Sequence, residues 1–182
     1  HDMGREYKIL SAIHPVFPYA PEPLAYSEDS SVMGSPFYVM ERITGIVVRR
    51  DFPFEPELSA DQVRELFENL LKVQYELHRI DYKQIGLENF GKPRGYVERQ
   101  VLGWNKRYRQ ARTPDAPDCE LIMQWLEEKM PPESDHPGLI HNDFKLDNVV
   151  LDPGDPLKII GVLDWEMATL GDPIMDLACT LG

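Results

Sequence analysis

Two β-branched runs, Val149–Leu151 and Ile159–Leu163, are joined through Asp152-Pro153-Gly154-Asp155-Pro156. That joint is strong turn chemistry: proline presets φ, glycine supplies positive φ, and aspartate bonds back onto nearby backbone. The runs therefore predict an antiparallel hairpin, which constrains this chain more than any other stretch. Asn148 immediately precedes the first arm and Asp164 immediately follows the second. Both fall at the open end, where directly opposed Cβ atoms lie about 5 Å apart. Two side-chain oxygens so placed suit one hard cation, and Mg²⁺ takes oxygen ligands at about 2.0–2.1 Å with water or phosphate completing its shell.

The polar stretch HNDFKLDN, His141 to Asn148, leads into that hairpin between the apolar runs GLI and VVL. Asp143 can share the site without being a metal ligand, as a carboxylate that accepts or orients the proton of an attacking hydroxyl. Lys145 offers a compact positive charge to a phosphate. The chemistry this suggests is Mg²⁺-assisted phosphoryl transfer, which depends mainly on positioning and charge neutralisation. Each residue alone has a plainer reading. Asp143 and Asn148 can form an Asx turn, Asp164 can cap a following helix, His141 can be a packed core histidine, and Lys145 can simply face solvent. Their convergence on one hairpin end favours the chemical reading.

The chain of 182 residues is 42% hydrophobic and 27% charged, an ordinary globular composition. No apolar run reaches the roughly 18 residues of a membrane helix, and the charged start HDMGREYKIL lacks a signal-peptide layout. The net charge of −12 disfavours nucleic acid and anionic membranes as partners. Cys119 and Cys179 have no metal-ligand spacing, and a reducing, cytoplasmic setting is expected. Oligomeric state is not legible.

A helix is expected over Asp2–Ile13, ended by His14-Pro15 because proline disfavours helical geometry in the residue before it. Residues 21–41 read as a hairpin with arms PLAYS and PFYVMERI. Ser59 and Gln62 form a capping-box pattern before Val63, Leu66, Phe67, Leu70, Val73 and Leu77, which keep helical spacing. Further helices are expected at Tyr96–Gln110 and Asp118–Lys129, the latter burying Leu121, Ile122, Trp125 and Leu126. His78 reads as a core residue at a helix end. Pro173 opens a last helix that looks cut short, as in a piece of something larger.

HNDFKLDN followed by VLDWE resembles the H-x-D-x-x-x-x-N loop and downstream metal-binding Asp of protein-kinase-like enzymes. The tail VLDWEMATLGDPIMDLA is more specifically similar to the aminoglycoside phosphotransferase and choline kinase branch. The stretches SSVMGSPFYVMERITG, GYVERQVLGWNKRY and LIMQWLEEKMPP resemble one subgroup, found alone in bacteria and elsewhere fused to acyl-CoA dehydrogenase-like proteins. The resemblance covers nearly the whole chain. It implies an α+β, two-lobed kinase-like fold: a partial N-lobe over 1–43 and a mostly helical C-lobe over 44–182 that carries the catalytic hairpin. It also implies an enzyme using ATP and Mg²⁺ on the hydroxyl of a small-molecule substrate. Asp143 would be the base, Asn148 and Asp164 the Mg²⁺ ligands, and His141 and Asp176 supports of the loop. Glu41, Arg42 and Ile43 would contact adenine through their main chain, with Met40 near the back of the pocket.

Two departures accompany the resemblance. Most relatives have glycine between the histidine and the aspartate, where this chain has Asn142. Glu6 resembles the helix glutamate that pairs with an ATP-binding lysine, but the family's glycine-rich loop and lysine precede that helix, and this sequence begins at His1. Lys8 is misplaced to substitute, which leaves Glu6 with no obvious partner. A non-catalytic, kinase-like remnant that binds a metabolite or partner protein therefore stands as the alternative. A Mg²⁺-dependent phosphohydrolase trails both for want of a nucleophile motif.

Overall fold

The computed structural model describes residues 2–49, 52–54 and 57–181; the end residues His1 and Gly182 of the two expected lobes lie outside them. The chain opens with helix α1 (Met3–Ile13), whose first turn is closed by Asp2 accepting from the Arg5 N–H at 2.9 Å. It ends at His14, as Pro15 requires. Ile9, Leu10 and Ile13 form its buried face. An antiparallel pair follows, β1 (Pro23–Ser27) and β2 (Phe37–Met40), with Tyr26 opposite Tyr38. The connection holds a short helix, α2 (Ser30–Met33), stopped by Gly34 at φ 84°.

Helix α3 (Ala60–His78) begins with the expected capping box: Ser59 Oγ accepts from the Gln62 N–H, and Gln62 Oε1 accepts from the Ser59 N–H. Leu66, Leu70, Val73 and Leu77 are buried at helical spacing, whereas Phe67 lies off that stripe and is 41% exposed. Replacing Ser59 by alanine is expected to lower stability by about 1 kcal/mol, read as a reduced midpoint in urea with an unchanged slope.

Helices α4 (Tyr96–Ala111) and α5 (Glu120–Glu128) lie where the spacing predicts them. Their contact is polar: Asn105 Nδ2 donates to the Met123 carbonyl and to Glu127 Oε1, and Arg109 pairs with Glu120 at 2.9 Å. The expected burial of the α5 stripe is not met. Leu121 and Trp125 are 82% and 58% exposed, Ile122 and Leu126 are also exposed, and Met123 is the buried residue. Helical periodicity identifies an apolar face, but a face is buried only where another element packs on it. Here α4 meets the side carrying Met123 and Glu127.

Two further antiparallel pairs complete the fold. Strand β3 (Gly138–Ile140) pairs with β6 (Thr169–Gly171), and β4 (Val149–Asp152) pairs with β5 (Asp155–Val162). The chain continues into α6 (Pro173–Leu181), with proline at its first position. Strand β6 escaped the sequence reading because three residues show no alternation. The segment from Ile43 to Ile46 lies on the β4–β5 hairpin, with Ile46 and Leu151 exchanging backbone hydrogen bonds. Two glycines permit that approach: a Cβ at Gly45 would lie 2.4 Å from Val150 Cγ1, and one at Gly161 2.6 Å from Ile43 Cδ1. One buried cluster joins α1, α3 and strands β3 to β6, with Trp165 its largest fully buried side chain. Its indole meets Phe17 and His141 edge-on, at ring separations of 5.9 and 4.8 Å.

Candidate active site

Strand β3 delivers His141 into the core, where its side chain is fully buried. The ring accepts the Asp143 N–H at Nδ1 (3.3 Å) and donates from Nε2 to the Leu163 carbonyl (3.0 Å). This arrangement assigns the neutral Nε2–H tautomer, and burial pushes the pKa of His141 below the ordinary histidine value. His141 thus joins the loop carrying Asp143 to the strand end preceding Asp164.

The hairpin closes as its sequence requires. Val149 faces Val162, and the Leu163 N–H donates to the Asn148 carbonyl at 2.8 Å, so Asn148 and Asp164 stand at the same open end. The amide of Asn148 donates to the main-chain carbonyl of Asp143 (2.9 Å) and to its carboxylate (2.8 Å). Both bonds use Nδ2, which leaves Oδ1 as the end suited to a cation. Lys145 is exposed and 3.0 Å from Asp143 Oδ2, and that hydrogen bond holds its pKa above the usual lysine value.

Asp164 adopts left-handed backbone geometry, φ 65° and ψ 64°. Partial burial, then the Glu166 and Asp143 charges, push its carboxyl above the usual range. Glu6 approaches the same place from α1. Its carboxyl is also pushed up, first by burial and then by Asp164 and Glu166, against hydrogen bonds from Tyr38 and the Trp165 N–H. Tyr38 and the Trp165 main chain are thus the hydrogen-bonding neighbours of Glu6, and neither is the cation that the resemblance pairs with it. Asp143, Asp147 and Asp164 all bear on the one Lys145 ammonium, an excess of negative charge that a hard divalent ion would offset. Among the described residues no trio of His, Cys, Asp or Glu is arranged to hold a metal. The residues at the hairpin end that could hold Mg²⁺ are the mixed amide–carboxylate pair Asn148 and Asp164, with much of its shell supplied from elsewhere.

Asp176 on α6 lies directly beneath the loop and is fully buried. Its Oδ1 accepts from the Asn142 N–H (2.6 Å), and its Oδ2 from the His141 N–H (3.1 Å), His78 Nε2 (2.8 Å) and Gln74 Nε2 (3.2 Å). Burial alone would raise its pKa, but His78 and the two backbone donors outweigh it, and the carboxyl titrates below the usual range. The sequence reading places His78 in the core at a helix end and does not single out Gln74. The available signal was their i, i+4 spacing: two polar side chains on one helical face beside Leu70, Val73 and Leu77 require a buried polar partner.

Of the expected adenine contacts, Glu41 and Arg42 are exposed and Ile43 is partly buried against Gly161. The Glu41 N–H is committed to the Glu22 carbonyl at 2.8 Å, so it does not serve as a free donor; the main chain of Arg42 and Ile43 remains as the candidate edge. A cavity of about 520 Å³ opens elsewhere, between His78, Asp81, Lys83, Arg94, Glu133 and His136. Its lining does not include Asp143, Asn148 or Asp164, and His78 in its wall bonds Asp176 beneath the loop.

Comparison with known proteins gives a consistent result. The model of a phosphotransferase enzyme family matches residues 1–182. Acyl-CoA dehydrogenase family member 11 of Homo sapiens is 36% identical over 178 residues, 98% of this chain and 22% of that protein. Family member 10 of Mus musculus is 36% identical over 178 residues, which are 16% of its length. The chain thus spans about a fifth of these relatives. Among solved structures, a Ralstonia eutropha protein assigned as an aminoglycoside phosphotransferase superposes with a TM-score of 0.85 at 33% identity, covering 96% of this chain and 53% of that one. An aminoglycoside phosphotransferase solved as a ternary complex with AMP-PNP and hygromycin B shares the fold at TM-score 0.67 and 19% identity, covering 97% and 60%.

Proposed function

This chain belongs to the phosphotransferase enzyme family, with a protein-kinase-like α+β fold, and on that premise we propose that it moves the γ-phosphoryl group of ATP to a hydroxyl of a small molecule. The observation that carries the reading is the Asn148 amide bonded to the Asp143 carboxylate at the hairpin end where Asp164 also stands. Asp143 receives the proton as the acceptor oxygen attacks phosphorus. Asn148 orients that carboxylate with Nδ2 and keeps Oδ1 for the metal. Lys145 meets the transferred phosphate as a point charge. Asn148 and Asp164 would hold Mg²⁺, which when bound neutralises phosphate charge. His141 keeps the two halves of the site in register, and Asp176 holds the loop from below.

We place the adenine edge at the main chain of Arg42 and Ile43 and the division between lobes near residue 43. Among the described residues no helix is long and apolar enough to cross a membrane, and a cytoplasmic ATP supply suits the proposed reaction. The names of the relatives make hydroxylated acyl compounds an acceptor class to screen beside aminoglycosides.

Titration calorimetry of the intact protein with ATP, with and without Mg²⁺, tests this reading. Binding is expected only with the metal, and Asp164→Ala is expected to weaken it at least tenfold, as for loss of a charge-paired ligand. A protein that binds no nucleotide with Mg²⁺ present would instead be the non-catalytic remnant.

A further inference from the structure

We infer that Asn142 is a positioning residue that ties the loop carrying Asp143, the turn that follows Asp164, and helix α4 into one unit. Its effect on turnover rests on the phosphotransferase reading; the tie itself does not. Asn142 has left-handed backbone geometry, φ 66°. Glycine would adopt that geometry without steric cost, and asparagine is among the few other residues that tolerate it. What asparagine adds is a two-ended side chain, and both ends are used. Oδ1 accepts from the Tyr96 hydroxyl at 2.8 Å, and Nδ2 donates to the Met167 carbonyl at 3.0 Å. The main-chain N–H donates to Asp176 at 2.6 Å. One residue thus touches α4, the 3₁₀ turn Trp165–Met167, and α6.

The location gives the tie its consequence. Asp143 is the next residue along the chain, and Met167 comes three residues after Asp164. The amide of Asn142 therefore spans the two segments whose spacing sets base against metal. The anchor on α4 is rigid. Tyr96 is buried, and a Cβ at Gly171 would lie 3.0 Å from its ring, so packing fixes where its hydroxyl points. Burial also pushes the Tyr96 hydroxyl pKa up, keeping it a donor at neutral pH. Any shift of α4 is transmitted to the loop through this bond, so Tyr96–Asn142 links the helical region to the reacting centre.

The test uses the intact protein with Asn142→Gly, Tyr96→Phe and both together. Asn142→Gly removes the tie and eases the backbone, and Tyr96→Phe keeps the ring packing and removes one bond, so neither is expected to lower the melting temperature. Without nucleotide, amide exchange should rise about threefold or more in both 141–148 and 164–168 in Asn142→Gly, as for loss of local hydrogen bonds. Faster exchange in 141–148 with 164–168 unchanged would overturn the tie. With MgATP and water as the probe acceptor, kcat should fall about tenfold in Asn142→Gly while KM for ATP stays within about twofold, the pattern of lost alignment. Tyr96→Phe should fall less, and the double variant should match Asn142→Gly alone, since one linkage cannot be lost twice. Additive losses, or losses that follow the melting temperature, overturn the inference. A wild-type protein that neither binds nor turns over MgATP sinks the phosphotransferase reading, and the exchange measurement still decides the tie.

Discussion

Asp143→Asn is expected to lower phosphoryl transfer by about 10²–10⁴-fold, the range a positioned general base supplies, while Mg²⁺-dependent ATP binding stays within about threefold of wild type. The side chain keeps its shape, and its remaining oxygen can still accept from Asn148 Nδ2, which now bonds Asp143 at 2.8 Å. The charge pair with Lys145 is lost, but both partners are partly exposed, so that change costs little stability. What disappears is the basic lone pair that takes the hydroxyl proton. The loss should therefore fall on kcat and leave the ATP KM nearly unchanged. Rates measured with a competent acceptor check this. Full turnover in the variant would remove Asp143 from the base role, and a matching loss of nucleotide affinity would place it among the phosphate or metal contacts instead.

How far the site was legible depends on what each feature needs. The hairpin end was legible because turn chemistry and β-branched runs are local, and antiparallel pairing then forces residues 148 and 164 to one end. The capping box at Ser59 and the helix start at Pro173 were legible for the same reason. The α5 stripe was misread because burial is a property of two surfaces, and the sequence of α5 shows only one. The Glu6 contacts with Tyr38 on β2 and with Trp165 near the far end of the chain join separate elements, so no local pattern announces them. The support of Asp176 by Gln74 and His78 was half legible: the helix shows two polar groups on an apolar face but not what they face. The double bond of Asn142 was hidden too. The sequence marks the residue as unusual, and only the fold puts Tyr96 and the Met167 carbonyl within reach.

The Asp176 cluster carries the largest expected effect on stability. In Asp176→Ala, the N–H groups of His141 and Asn142, the His78 ring and the Gln74 amide all lose their acceptor. Removing one side of a buried, charged network typically costs about 3–5 kcal/mol, which for a chain of this size lowers the melting temperature on the order of 10 °C. Asp176→Asn should cost less, since one oxygen still accepts. The pH dependence separates the charge from the shape. The Asp176 carboxyl titrates below its unfolded value of about 3.9. Its contribution is therefore complete above that value and is lost as pH falls through the lower, folded one. His141 works in a different window. Its folded pKa lies below the unfolded value of about 6.5, so on acidification the unfolded chain takes up a proton that the folded chain refuses, and stability begins to fall below about 6.5. Wild-type protein should lose stability in both windows. Asp176→Asn should keep the decline that starts near 6.5 and show a shallower one below about 4, because Asp29, Asp115, Glu120 and Asp152 are also held below the usual carboxylate range and still contribute there. Urea midpoints from pH 7 to pH 3 read both. An Asp176→Asn curve parallel to wild type throughout would mean that the buried carboxyl does not hold the loop as an anion.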